Sequence, residues 1–212
     1  MHTKLSLTLA AMTLSMVAFG QQDYRFQIRY AANLTAGDSV INMTNTGANG
    51  ANVNGPGFGT AVGNICVNVY AFSPDEQLIS CCSCLITPNG LQSLSVNQDL
   101  VSNTLTGVRP NSVVVKLVNT LAGAATSCTN SAALAGQPNG LPLADGMLAW
   151  GTTVHAGAAA GSFATTETAF IPATLDLAGE LKSITSRCTN IIGNGSGFGI
   201  CRSCRNGGLR AE

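Results

Sequence analysis

Apolar and polar positions alternate with period two through most of this chain, and one stretch departs to helical spacing. In Tyr24-Arg25-Phe26-Gln27-Ile28-Arg29-Tyr30-Ala31, the residues Tyr24, Phe26, Ile28 and Tyr30 alternate with polar or small ones. Alternating aromatic and β-branched residues predict a strand buried on one face. The same reasoning predicts strands over 39–44, 64–72, 78–82, 91–96, 147–155 and 162–170. In 64–72, Ile65, Val67 and Val69 oppose Cys66, Asn68 and Tyr70; 113–118 (VVVKLV) is an apolar run broken only by Lys116, the pattern of a buried strand. Glycine-rich 45–63, Thr87-Pro88-Asn89-Gly90, and 124–145 with Gln137-Pro138-Asn139-Gly140 predict turns and loops. From Leu177, the residues Leu181, Ile184 and Cys188 recur at intervals of four, three and four, which predicts an amphipathic helix capped by Thr174 or Asp176 and stopped by Gly193. Many short strands, a lone late helix and no βα alternation predict a mainly β fold, an antiparallel β-sandwich of the Ig-like or Greek-key type, as a single domain over 21–212.

The start of the chain follows another pattern. A lone cation, Lys4, precedes the apolar run 5–19, which closes on Ala18-Phe19-Gly20. This predicts a signal peptide over 1–20, cleaved near Gly20, and a mature protein secreted or held at a bacterial cell surface. Thiols are oxidised there, so Cys66, Cys81, Cys82, Cys84, Cys128, Cys188, Cys201 and Cys204 are expected to form up to four disulfides. Eight cysteines allow too many pairings for the connectivity to follow from the sequence. One arrangement ties the helix and the C-terminal tail to a turn at 81–84 and leaves Cys66 and Cys128 to join either set.

Only 9% of residues are charged and the formal net charge is zero, against about 25% charged in an ordinary globular protein. That balance argues against nucleic acid as a partner, which needs a basic face. It also removes the repulsion that keeps copies apart. The end of the chain is locally basic, through Lys182, Arg187, Arg202, Arg205 and Arg210; this reads first as a solvated tail and second as a surface for an anionic lipid or polysaccharide. After the leader no apolar stretch approaches the ~20 residues needed to span a bilayer, so the mature chain is not expected to span a membrane.

Few groups suggest chemistry. Cys81-Cys82-Ser83-Cys84 with Cys201-Arg202-Ser203-Cys204 could supply thiolates to zinc, but adjacent cysteines share one ion poorly and the compartment is oxidising. The glycines of 193–199 follow a helix instead of opening one, the reverse of a phosphate-binding loop. A Ser-His-Asp site would have to use His155, and no G-x-S-x-G elbow accompanies it. Asp75-Glu76 reads as a turn, and Trp150, Tyr24, Tyr30 and Tyr70 read as packing residues before sugar-stacking ones. We therefore expect no enzyme, no catalytic, cofactor-binding or metal-binding residues, and no cofactor.

The motifs GNICVNVYAFSPDEQLISCCSCLITPNGLQSLSV (63–96) and GNGSGFGICRSC (193–204), with the helix ending at Cys188 between them, resemble a family of uncharacterised, secreted, cysteine-rich bacterial proteins. The resemblance implies export and a shared disulfide-bonded fold, with no activity to carry over.

The leading functional expectation is a non-enzymatic structural protein that associates with itself, as a homo-oligomer or filament, through a free N-terminal strand bearing Tyr24, Phe26, Ile28 and Tyr30. The alternative is an extracellular binding module whose loops 45–63 and 121–146 meet a surface polysaccharide or other ligand. A secreted hydrolase centred on His155 comes third.

Overall fold

A computed structural model describes residues 24–52, 62–122, 127–202 and 204–206. The expected signal peptide, residues 53–61 of the glycine-rich loop, and Arg210 lie outside the described residues. Among the described residues, ten strands form two five-stranded antiparallel sheets: β1 (Phe26–Ala31), β2 (Val40–Asn45), β3 (Ile65–Phe72), β4 (Leu78–Ile86), β5 (Leu91–Ser95), β6 (Val113–Leu121), β7 (Met147–Ala156), β8 (Phe163–Ala169), β9 (Ile171–Pro172) and β10 (Arg205–Asn206). One sheet has the order β4-β3-β6-β1-β9 and the other β10-β5-β2-β7-β8. The expected antiparallel β-sandwich is what forms, with a third layer of helix on the outside of the first sheet.

The layers explain the burial pattern. Ile65, Val67, Val69, Val113, Val115 and Leu117 of the first sheet meet Ile41, Met43, Leu94, Met147 and Ala149 of the second in the inter-sheet core. The opposite face of the first sheet carries Phe26, Tyr70, Phe72 and Val118 under α1 (Ser131–Leu134) and α2 (Lys182–Gly193). Covered on both faces, β3 has every residue buried. Its second face is polar, so the helical layer must satisfy it. The Tyr70 hydroxyl donates to Ala132 O at 2.6 Å and Ser131 Oγ donates to Asn68 Oδ1 at 2.5 Å. Burial pushes the Tyr70 phenol far above its ordinary pKa. Helix α1 falls in a stretch expected to be loop; four residues are too short for periodicity to reveal.

A wide helical turn, Leu177–Leu181, leads into α2, and the Asp176 carboxylate accepts from Ala178 N at 3.1 Å as the expected cap. Leu181, Ile184, Cys188 and Ile191 face the first sheet. Leu177 does not: the wide turn rotates it off that stripe and leaves it exposed. Lys116, the break in the β6 run, lies on the same outer face, over the Phe72 ring and paired with Glu180.

The N-terminal strand is not free, which corrects the expected assembly strand. β1 lies between β6, with Phe26 opposite Val118 and Ala31 opposite Val113, and β9. Phe26 and Ile28 pack beneath the helical layer, while Tyr24 and Tyr30 stay exposed. The polar positions point into the sandwich instead. Gln27 Nε2 donates to Met147 O at 2.9 Å, and the Arg29 guanidinium, 6% exposed, donates to Thr168 Oγ1, Ser39 Oγ and Thr153 Oγ1 at 3.3, 3.1 and 2.7 Å. Burial lowers the Arg29 pKa from its ordinary value. Vacating this strand would expose Phe26 and Ala31 and orphan the hydroxyls that Arg29 joins.

Candidate functional site

A sheet ends in strands whose outer N–H and C=O groups lack a partner, and how each edge is treated decides what the molecule can join. At β4 the expected turn at 81–84 is the middle of a strand, a second correction. Strand alternation sends Cys81 to the helical side and Cys82 and Cys84 to the inter-sheet side. Cys81 bonds Cys188 on α2, while Cys82 and Cys84 bond Cys201 and Cys204 of the tail. Cys66 and Cys128, left open by the sequence, bond each other and tie the loop before α1 to β3. The Cys82, Cys84 and Cys204 sulfurs lie within 4.8 Å of one another for the same reason, as members of two adjacent disulfides.

These bridges bring the tail along β4. Cys81 N donates to Gly199 O at 2.8 Å, Cys201 N to Cys81 O at 3.4 Å and Leu105 N to Ile79 O at 2.9 Å. The tail then crosses to the second sheet, where β10 pairs with Gln92 and Ser93 of β5. One segment therefore covers the β4 edge and the β5 edge together. The β1 edge is covered by β9 and by Ala173 N, which donates to Phe26 O at 3.0 Å.

β8 is treated differently. It pairs with β7 from Trp150 opposite Ala169 to Ala156 opposite Phe163, without a register shift. Among the described residues no strand pairs with its other side, and all seven of its residues are exposed. The hairpin closes through Gly157 N, which donates to Ser162 O at 2.8 Å, with Gly161 at φ +76° completing the turn. Arg29 anchors its base. Exposed Phe163, Ile171, Leu148 and Tyr24 belong to this side of the molecule. A cavity of about 340 Å³ opens here, lined by Tyr24, Leu148, Trp150, Ala169, Phe170 and Pro172.

The remaining candidates have their groups already engaged. His155, exposed on β7, has Thr166 Oγ1 at 2.8 Å from Nε2, its only hydrogen-bond partner among the described residues. Asp75 and Glu76 form the turn between β3 and β4, with Glu76 at φ +65°. A cleft of about 380 Å³ between the first sheet and α2 is lined by Phe72, Lys116, Glu180 and Arg187. Lys116 occupies the ring face and pairs with Glu180, and Arg187 donates to Glu76 O at 3.3 Å. No described helix is long and apolar enough to cross a membrane. The four disulfides suit an oxidising compartment. Protein-family models, curated proteins and solved structures contain no match to the chain.

Proposed function

We propose that this is an exported, non-enzymatic structural protein that associates with copies of itself, in an oligomer or filament at the cell surface or beyond it. The observation that carries the reading is the β8 edge: a seven-residue strand, exposed throughout and unpaired on one side among the described residues, where the other long outer strand, β4, is bonded along part of its edge and the two remaining outer strands are only two residues long. An open edge of this kind accepts another strand by main-chain hydrogen bonding. A zero net charge offers little repulsion to a second copy. The role the sequence assigned to the N-terminal strand thus passes to β8.

The binding-module alternative has weaker support, because the polar groups of the cleft beside α2 bond one another. The deciding measurement is sedimentation velocity over a hundredfold concentration range, on protein folded under oxidising conditions, with negative-stain imaging of any large species. Concentration-dependent oligomers or filaments support the reading. A monomer throughout overturns it and makes a glycan screen the next experiment.

A further inference from the structure

We propose that two copies pair through β8 about a two-fold axis at Thr166, each inserting Phe163 beside Trp150 of the other. This rests on the self-association reading and specifies its surface. The phase of the hairpin comes first. Phe170 N donates to Ala149 O at 2.9 Å and Gly157 N to Ser162 O at 2.8 Å, at its two ends. Bonded and non-bonded positions alternate along an antiparallel pair. Ala164, Thr166 and Thr168 therefore turn their main-chain groups to β7, and Phe163, Thr165, Glu167 and Ala169 turn theirs to the open edge.

The register follows from that phase. A two-fold at Thr166 sets Phe163 against the partner's Ala169 and Thr165 against the partner's Glu167. Outward groups then meet outward groups over the whole strand, joining two five-stranded sheets into one. Moving the axis to Glu167 would set two carboxylates face to face, and moving it to Thr165 would leave Ala169 unpaired. β8 carries no lysine, proline or bulge of the kind that blunts sheet edges.

Shape completes the argument. Phe163, Glu167 and Ala169 share one face of β8, and Trp150 on β7 lies across from Ala169 on that face. The two-fold brings the partner's Phe163 to the other side of Ala169, whose methyl group leaves the way to Trp150 open. The 340 Å³ cavity lies at this point, and an apolar cavity of roughly 150 Å³ already holds benzene. Phe163, 59% exposed in the single copy, is the knob for that hole.

The test is sedimentation equilibrium of the full disulfide-bonded protein, with thermal midpoints recorded in parallel. Phe163→Ala is expected to weaken association about tenfold. Thr165→Glu, which faces Glu167 twice across the axis, is expected to weaken it about fivefold. Thr165→Pro deletes an N–H that points at the open edge and should abolish pairing while the hairpin persists. Thr166→Cys should give a covalent dimer, because non-bonded pairs hold their Cα atoms about 4.5 Å apart, within disulfide range; Thr168→Cys should not. If Thr165→Pro fails to fold, the crosslink and Phe163→Ala decide. Wild-type association that these variants leave unchanged would overturn the two-fold pairing while self-association stood on another surface. A wild-type monomer at every concentration, with no Thr166→Cys crosslink, would overturn both.

Discussion

β4 and β8 are both outermost strands of length, and the fold treats them in opposite ways. β4 has the outer main-chain groups of Ile79 and Cys81 taken by Gly199, Cys201 and Leu105, and three of its residues bonded through sulfur to α2 and the tail. β8 has one paired neighbour among the described residues and a single internal anchor, Arg29. The difference teaches that the cysteines do more than stiffen the chain: they hold a covering segment over one edge, and none of them lies on β8. The protein thus has a closed flank and an open one, and the association proposed above uses the second.

The strongest way to break this contrast is to release the tail. Replacing Cys82, Cys84, Cys201 and Cys204 together by Ser should cost on the order of 4 kcal/mol or more, read from the guanidinium unfolding midpoint. It should also expose the β4 edge, so that light scattering reports new, less specific aggregation. If stability falls and aggregation does not change, the tail is a staple and not a cover. Next in size, Arg29→Ala should cost about 3 kcal/mol, through lost packing and three hydroxyl groups left without their donor. Amide exchange should then rise in β7 and β8 before it rises in β3. Uniform exchange throughout would mean that Arg29 is no special anchor for the hairpin.

Gly199→Ala probes the β4 cover without touching a disulfide. Gly199 has φ +78°, and an added Cβ would lie 2.8 Å from Ile191 Cγ2, so a loss of about 1–2 kcal/mol is expected. The expected readout is a lower thermal midpoint with association through β8 intact. His155→Ala marks the smallest effect: on an exposed hairpin it should change monomer stability by less than about 0.5 kcal/mol. A larger change would show the hairpin to be more tightly coupled to the body than its exposure implies.

Much of this architecture was legible from residue order, because strand alternation and helix spacing are local properties. Residues 26–31, 65–72 and 147–156 form strands where alternation predicts them, and the helix starts at the Asp176 cap and stops at Gly193. Cys-Cys-Ser-Cys reads as a turn in the sequence and is strand in the structure. A run of cysteines has no hydrophobic period to show its strand character, and only the partners on either side of β4 reveal the alternation. The open edge of the candidate site had no local signal at all, since Phe163-Ala164-Thr165-Thr166-Glu167-Thr168-Ala169 alternates as a covered strand would.

By itself the sequence determined the strand-rich class, the late helix, the scarcity of charge and the supply of eight cysteines. The tertiary structure alone decided which face of each strand meets which layer. The Tyr24, Phe26, Ile28 and Tyr30 stripe was plain in the chain, yet only Phe26 and Ile28 of it meet a helical layer, one assembled from residues more than a hundred positions away, and the polar neighbours Gln27 and Arg29 turn inward. Disulfide connectivity and the choice of open edge were settled in the same way. Each depends on which distant segments come to lie side by side, and period-two alternation carries no record of that.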